Sequence, residues 1–391
     1  MERTEIIVAG GGIAGLAAAA RIGATGRRLT VVDPDPTGGN RPDRRTTAFL
    51  QPAIETLRRA DAWEGMAGGG LPLDVMRIVD AGGQERQPRR TADFEGAETP
   101  HGSFGMNIPN DLARRALLDA LSRQPSVTVL SGKRISRLLP RTHKTIATLS
   151  DGTTLAAKLV VAADGRDSTV RQLAGIGRRR WGYDQMALVF TVGLDAPLGA
   201  VSTEIHRTGG PLTLVPVPDE DGAPRASVVW MMRTARAKSL LAEDDQRLGA
   251  ELTAETMGLF GPLTIASDRG AFPMISQVAH RLRGERVALI AEAAHVMPPI
   301  GAQGLNTSLS DIEALAELID PATDPGHDRL LARYEARQMP LILAKVAGID
   351  ALNRMVRTEV QPLRDLRATG LGLVNGLAPL RRLAIRAGMG G

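Results

Sequence analysis

Apolar residues fall along this chain in two rhythms. Short unbroken runs, Glu5-Ile6-Ile7-Val8-Ala9, Leu29-Thr30-Val31-Val32, Val127-Thr128-Val129-Leu130, Lys158-Leu159-Val160-Val161-Ala162 and Val287-Ala288-Leu289-Ile290, have the length and continuity of strands buried on both faces. The first, fourth and fifth each run into a turn and then a helix start; after the fifth, the apolar positions Leu305, Leu309, Ile312, Leu315 and Ile319 keep helical spacing. Strand, turn and helix in that order predict an α/β fold with a parallel, Rossmann-like sheet.

Elsewhere the rhythm is alternation. Val75, Met76, Ile78 and Val79 lead into a turn at Ala81-Gly82-Gly83, which predicts a hairpin, and three further strand-like runs follow at Ala187–Val192, Leu212–Pro216 and Ala226–Met232. Together they predict a mostly antiparallel sheet inserted into the domain of the parallel sheet. The expected division is 1–70, 98–176 and 268–391 for the first domain with a helical C-terminal region, and 71–97 with 177–267 for the second. Helical sequence is expected from Ala235 to Phe260 and through most of the end of the chain, with a kink at Pro340 and a break at Pro362. Two helix starts are also read here: one after Arg45, leading into an amphipathic helix through Ile54, Leu57 and Trp63, and one capped by Asn110 with Asp111 in its first turn. Pro34 to Arg44, with Gly38-Gly39-Asn40, reads as a surface loop, and Val127–Leu130 is followed by a small meander to Asp151-Gly152.

The turns carry the candidate chemistry. Gly10, Gly12 and Gly15 stand between the first strand and an Ala-rich helix, with Gly11, Ile13 and Ala14 between them. That spacing is the dinucleotide fingerprint: a tight turn, close approach of backbone to a pyrophosphate, and close packing of helix on strand. The second strand ends on Asp33, where a carboxylate can accept both hydroxyls of an adenosine ribose. At the fourth strand's carboxyl end stands Asp164-Gly165, with Ser168 nearby, where a ligand contact and plain helix capping are both open readings. The fifth leads into Pro298, Pro299, Gly301 and Gly304, a backbone able to come close to something flat, and the helix start Gly304-Leu305-Asn306 favours negative charge. An arginine at Arg45, set against a helix dipole, hints at an anionic partner.

Composition narrows the field. With 391 residues and 43% hydrophobic content there is ample material for a buried core in one large or two ordinary domains. Cysteine is absent, which removes disulfides, thiolate metal sites and cysteine nucleophiles and fits a reducing compartment. The net charge is +5, yet only five of the 48 basic residues are lysines, a bias that reads as genomic composition; with 3% aromatics, a base-stacking nucleic-acid surface is not expected. No apolar run approaches bilayer length, so the protein is expected in the cytoplasm, with peripheral contact at the inner membrane face left open.

Three motifs stand in order: Gly10 to Gly15; Ala163-Asp164-Gly165 with Ser168 and Arg171; and Glu292-Ala293-Ala294-His295 with Pro298-Pro299, Gly301, Gly304 and Asn306. In this the chain resembles the single-component flavin aromatic hydroxylases typified by para-hydroxybenzoate hydroxylase. The resemblance implies that the first motif holds the ADP of FAD, that Asp164 and Gly165 serve FAD and the pyridine nucleotide, and that the third motif cradles ribityl and isoalloxazine. Glu292, Pro299, Gly301, Gly304, Leu305 and Asn306 are then cofactor contacts, and Arg45 and Arg114 match positions that touch FAD; for Arg114 a solvated helix face is the alternative. A narrower resemblance, to the ubiquinone-biosynthesis hydroxylases, rests on Asp43-x-Arg45-Thr46-Thr47-Ala48, Gly105-Met106-Asn107-Ile108-Pro109-Asn110, Gly210-Pro211-Leu212-x-Leu214-x-Pro216 with Val229-Trp230, and Gly301-Ala302-Gln303-Gly304-Leu305-Asn306. Leu366-Arg367-x-x-Gly370-Leu371 and a terminal Met389-Gly390 carry it to the end of the chain.

The chain departs from the family where Ala291-Glu292 replaces Gly-Asp, which keeps a carboxylate for a ribityl hydroxyl and adds a methyl where backbone meets cofactor, and where Thr307-Ser308 and Ser310 replace Leu-Gly and a basic residue. The implied reaction is hydroxylation of an electron-rich ring through a hydroperoxyflavin, with O2 as oxidant and NAD(P)H or a protein electron donor as transient reductant, since there is one dinucleotide fingerprint. Pro299 and Gly304 would position the flavin, and no protein acid or base is assigned. The apolar turn Val296-Met297-Pro298-Pro299-Ile300 would keep water out. His295 is the only histidine there, so no metal site is expected, and packing or capping is at least as good a role for it as catalysis. The expected substrate is a lipophilic polyprenyl phenol of ubiquinone biosynthesis. A soluble phenol, polyketide or antibiotic ring is the alternative, and a non-catalytic FAD-binding subunit of a biosynthetic complex is a third reading. The tail from Leu363 to Ala387, with arginines among leucines, could be a basic amphipathic surface or an ordinary docking helix.

Overall fold

The computed structural model describes residues 2–36, 43, 45–207, 209–220 and 222–389; Gly38-Gly39-Asn40 of the expected loop and Gly390 lie outside them. The apolar runs form a six-stranded sheet in the order Arg283–Gly284, Val287–Leu289, Leu159–Ala162, Ile6–Ala9, Leu29–Asp33, Val127–Ser131. All neighbours but the first pair are parallel. Ile6, Ile7, Val8, Leu159, Val160, Val161, Ala288 and Leu289 are fully buried, as continuous apolar strands covered on both faces must be. On one face the helices Ile13–Gly23, Asn110–Ser122 and Gln303–Ile319 pack together. A four-stranded sheet that includes the expected meander, Ile135–Arg141, Lys144–Leu149 and Thr154–Ala157, stands beside the six-stranded one.

The alternating runs form a nine-stranded sheet, mostly antiparallel, that contains the hairpin Val75–Asp80 with Arg90–Glu95 and the long strands Arg178–Gly193, Pro211–Glu220 and Ala223–Arg233. It also takes in Gly270–Ala279 and His295–Val296, so its edge reaches the turn that follows the Val287–Leu289 strand. Leu188, Phe190, Leu212, Leu214, Val228 and Trp230 form a separate core there, closed by the helices Thr234–Leu241 and Asp245–Glu255.

Two local expectations are corrected. Arg45 does not begin a helix: Thr46–Leu50 is a strand, paired antiparallel with Gly105–Pro109, and the helix starts only at Gln51. The β-branched pair Thr46-Thr47 and the buried Phe49 suit a pleated surface, and this outweighed the helical spacing read further on. Nor does Asn110 cap its helix. Pro109 holds that place, and the Asn110 side chain is engaged by Thr47 and Asp43 instead.

The C-terminal region is helical, as expected: Asp328–Val356 with Pro340 inside it, Gln361–Gly376 with Pro362 in its first turn, and Ala378–Met389. Among the described residues no helix is long and apolar enough to cross a membrane. The Gln361–Gly376 helix is tied to the large sheet by a buried ion pair. Arg367 donates from Nε to Asp80 at 2.6 Å and from Nη2 to the His206 carbonyl at 3.1 Å, while Arg89 lies 2.7 Å from the same carboxylate. Burial pulls the Arg367 guanidinium down from its usual pKa, and Asp80 opposes that shift. Removing Arg367 leaves the buried Asp80 carboxylate to Arg89 alone and takes a donor from the Val356 and His206 carbonyls. Arg367→Ala is therefore expected to cost about 3 kcal/mol in urea unfolding, and the double replacement Asp80→Leu/Arg367→Met to recover part of that loss.

Candidate active site

The parallel register sets Ala9, Ala162 and Leu289 side by side, so the three turns that follow emerge together at the carboxyl edge of the sheet. Ligands of open α/β sheets sit at such an edge, where the strand order reverses. Backbone contacts are tight: the Ala163 amide donates to Ala9, and Ile290 to Ala162, at 2.8 and 3.0 Å. Gly10 has φ +108°, and a Cβ there would stand 2.3 Å from the Ala163 carbonyl oxygen. At Gly15 a Cβ would stand 1.9 Å from the Gly10 oxygen, which is how closely helix lies on strand. Gly12 differs, because a Cβ there meets nothing within 4 Å and its φ of −68° is open to any residue. The space in front of Gly12 belongs to a cleft of about 330 Å³.

Two helices begin at that cleft. Ile13, Ala14 and Gly15 of one and Gly304 and Leu305 of the other line it. The first-turn N–H groups of a helix have no partner within it, so two sets of positive dipole ends face one space. The second helix is set by Ala302, left-handed at φ +56°, and by Asn306, whose amide donates to the Ala48 and Ala302 carbonyls and accepts from the Leu50 amide at 2.9 Å. Asn306 thus clamps the helix start to the Thr46–Leu50 strand, and it does not line the cleft.

Arg45 and Arg114 line the cleft as well. Arg114 is half-buried and donates from Nη1 to the Gly11 and Pro36 carbonyls at 3.0 and 3.1 Å, so it faces the fingerprint loop and not solvent. Arg45 makes a two-pronged bond to Asp43, both contacts 2.7 Å, and lies 5.3 Å from the Phe272 ring centre. The Asp43 bonds raise the Arg45 pKa further. Burial alone would raise Asp43, but hydrogen bonds from Arg45 and Asn110 outweigh it and hold the carboxyl below its usual value. Asp33 sits at its strand end and accepts from the Gly11 and Asp35 amides, both at 2.6 Å.

The other two turns are braced from behind. Asp164 accepts from the Ser168 hydroxyl and from the Val170 amide at 3.0 Å, and Ser168 caps the short helix Thr169–Leu173, so the capping reading of both is what the geometry displays. Buried Arg171 bonds the Arg166 and Ala293 carbonyls, both 3.1 Å, joining the second turn to the third. Gly165 and Glu292 line the cleft; Glu292 is exposed and lies 3.4 Å from Arg166. Ala291 has φ +54°, a left-handed conformation that a side chain resists. His295 lines the cleft with its ring buried, and its Nε2 lies 2.7 Å from Asp311, whose other oxygen has no partner. Packing with a buried carboxylate is therefore its visible role.

Of the cofactor residues read from the sequence, Gly12, Ile13, Ala14, Gly15, Arg45, Arg114, Gly165, Glu292, Gly304 and Leu305 line one cleft. Gly10, Asp33, Asp164, Gly301 and Asn306 shape the turns around it, and Pro299 is exposed outside its wall, while Val296 and Met297 supply apolar lining. Sequence reasoning missed the Asp43–Arg45 fork, the Arg171 brace and the His295–Asp311 pair. Only Asp43-x-Arg45 carried a local signal; Asp311 is sixteen residues from its partner.

The FAD binding domain family matches residues 3–347. Ubiquinone hydroxylase UbiL of Rhodospirillum rubrum is 33% identical over 99% of this chain and 89% of its own length, and 3-demethoxyubiquinol 3-hydroxylase of Escherichia coli is 28% identical over 100% and 99%. Among solved structures, p-nitrophenol 4-monooxygenase of Pseudomonas putida superposes with a TM-score of 0.83 at 19% identity, covering 100% of this chain and 99% of that one. That likeness establishes the fold.

The cleft fits an FAD pyrophosphate and flavin, since Gly12 leaves space that no protein atom fills and two helix starts face it. Gly12→Ala is expected to leave the melting temperature of the flavin-free protein unchanged while cutting retained flavin roughly ten-fold. A drop in that melting temperature would mean that protein, not ligand, occupies the space. Ala291→Gly removes the side-chain strain and is expected to stabilise the protein by about 1 kcal/mol in chemical unfolding.

Proposed function

We propose a reaction for this chain from its family: it belongs to the FAD-dependent aromatic hydroxylases, among the ubiquinone-biosynthesis hydroxylases, and is an FAD-dependent monooxygenase. The substrate we assign is the ring of a polyprenyl-phenol intermediate of ubiquinone biosynthesis. The observation that carries this reading is the meeting of two helix N-termini and three family motifs at one cleft. Bound FAD, once reduced by NAD(P)H or by a protein donor, would activate O2, so that one oxygen atom enters the ring as a hydroxyl and the other leaves as water.

Everything else falls to the chain's own residues. The first turn of the Ile13–Gly23 helix and Arg114 receive the pyrophosphate, and Asp33, whose oxygens each keep a free lone pair beside one amide bond, receives the ribose. Arg45, held by Asp43, and the Asp164-Gly165 turn stand along the cofactor; Glu292 takes a ribityl hydroxyl. Gly304 and Leu305 bring the positive end of their helix to the pyrimidine edge of the ring system, where reduction places negative charge. Val296, Met297 and the buried Ile300 keep water from the reacting face. The segments 71–97 and 177–267 are assigned to the substrate side. No side chain is assigned as acid or base, and His295, engaged with Asp311, is left out of the chemistry.

Purified protein is expected to show a flavin spectrum that bleaches on addition of NADH or NADPH, or of a protein reductant. Deletion in the source organism is expected to accumulate an under-hydroxylated quinone precursor in lipid extracts, restored by the intact chain. Turnover of a soluble phenol or polyketide with an unchanged quinone profile would transfer the activity to soluble aromatics. Flavin that no donor reduces, with or without lipid substrate, would make the chain a non-catalytic subunit.

A further inference from the structure

Ten of the twelve large hydrophobic side chains that stand exposed among the described residues lie after residue 340, so the exposure belongs to one end of the chain. On the Gln361–Gly376 helix and just beyond it, Leu363, Leu366, Leu373 and Leu377 are exposed, with Gly370 completing their alternating three- and four-residue spacing. That spacing makes one stripe along one helix face. The last helix adds Leu380 and Leu383, the latter 64% exposed. The opposite faces are used: Arg367 and Ala368 are buried, and Leu371, Val374, Ala384, Ile385 and Met389 pack with Leu50, Leu73, Phe94 and Phe104. Both helices therefore seat on the same cluster, and their outward faces lie on one side of the molecule.

Charge says what meets that side. Asp365 is the last acidic residue of the chain, and it is taken by Arg89. Arg382 and Arg386, both exposed and flanking Leu383, have no carboxylate within ion-pair distance among the described residues. Exposed leucines interleaved with uncompensated arginines match the interface of an anionic bilayer: apolar side chains enter the acyl boundary while guanidinium groups meet lipid phosphates. A second copy of this chain would have to meet these guanidinium groups with carboxylates, and the one acidic side chain on the two helices, Asp365, is already held by Arg89.

We infer that the outward face of the two C-terminal helices docks the protein on an anionic membrane surface. The site lies next to the cofactor cleft, because Gln303, in the first turn of the cleft helix, donates to the Gly388 carbonyl at 2.6 Å. The inference rests on the proposed lipid substrate only for its purpose; the docking is a property of these helices.

The test is sedimentation of the full, flavin-loaded chain with vesicles of phosphatidylcholine alone and of phosphatidylcholine with phosphatidylglycerol, at low and high salt. Binding to the anionic vesicles, weakened by salt, is expected. Arg382→Gln/Arg386→Gln should lower it roughly 25-fold, and Leu366→Glu/Leu373→Glu at least about ten-fold, with flavin content and melting temperature kept. The arginine pair carries the test should the leucine variant fail to fold. Absence of binding, indifference to headgroup, or unchanged binding in both variants overturns the inference, as does a dimer in light scattering that the same variants dissolve. Absence of vesicle binding by the unaltered chain, with ring hydroxylation intact on detergent-dispersed substrate, overturns the docking alone. Failure of hydroxylation with docking intact overturns only the functional reading.

Discussion

The molecule depends on the side-by-side parallel pairing of Ile6–Ala9, Leu159–Ala162 and Val287–Leu289. Buried apolar strands of this kind have no stable place except in the middle of a sheet covered on both faces, and pairing them in register delivers three turns from distant parts of the chain to one edge. The turns then have little freedom: a methyl at Gly10 or Gly15 would collide with backbone, so loop, strand and helix fix one another to within a fraction of an ångström. The cleft is the space left over where this packing stops, in front of Gly12.

What fills that edge with positive potential is geometry more than charged side chains. Two helices start there, and the bracing comes from groups that do not line the cleft: Asn306 clamps the start of the Gln303–Ile319 helix to a neighbouring strand, and Arg171 joins the second turn to the third. Asp311 adds a buried carboxylate that accepts from the Ala291 amide at 3.3 Å and pairs with His295, holding the turn whose first residue is strained at φ +54°. Strain of this sort persists only where surrounding bonds over-determine the backbone, and here they do. The arginines are positioned the same way, Arg45 by Asp43 and Arg114 by carbonyls of the fingerprint loop.

The C-terminal helices pack beside that edge, where Gln303 donates to the Gly388 carbonyl. Their inner faces complete a small core with Leu50, Leu73, Phe94 and Phe104, and Arg367 anchors them through a carboxylate at the end of a sheet strand. Because Asp80 and Arg367 are buried, the anchor tolerates little movement, and the outward leucines are left where the helix periodicity puts them. One scaffold thus holds a cofactor edge and, beside it, an apolar and basic exterior.

The sequence by itself determined the parallel strands, the fingerprint glycines, the antiparallel character of the second sheet and the helical end, because each is written in local periodicity or in spacing within a single turn. It also made Gly12, Arg45 and Gly304 candidates for one site, through motifs that resemble a known family. Tertiary structure alone decided how they meet. That Thr46–Leu50 is a strand, that Asn110 reaches Thr47 and Asp43 in place of capping, and that Asn306 turns to the backbone of another strand all depend on partners brought from elsewhere in the chain. Local propensity could not signal them, since a side-chain amide bonds whichever donor or acceptor the packed fold brings within reach, and that is settled only when the strands pair.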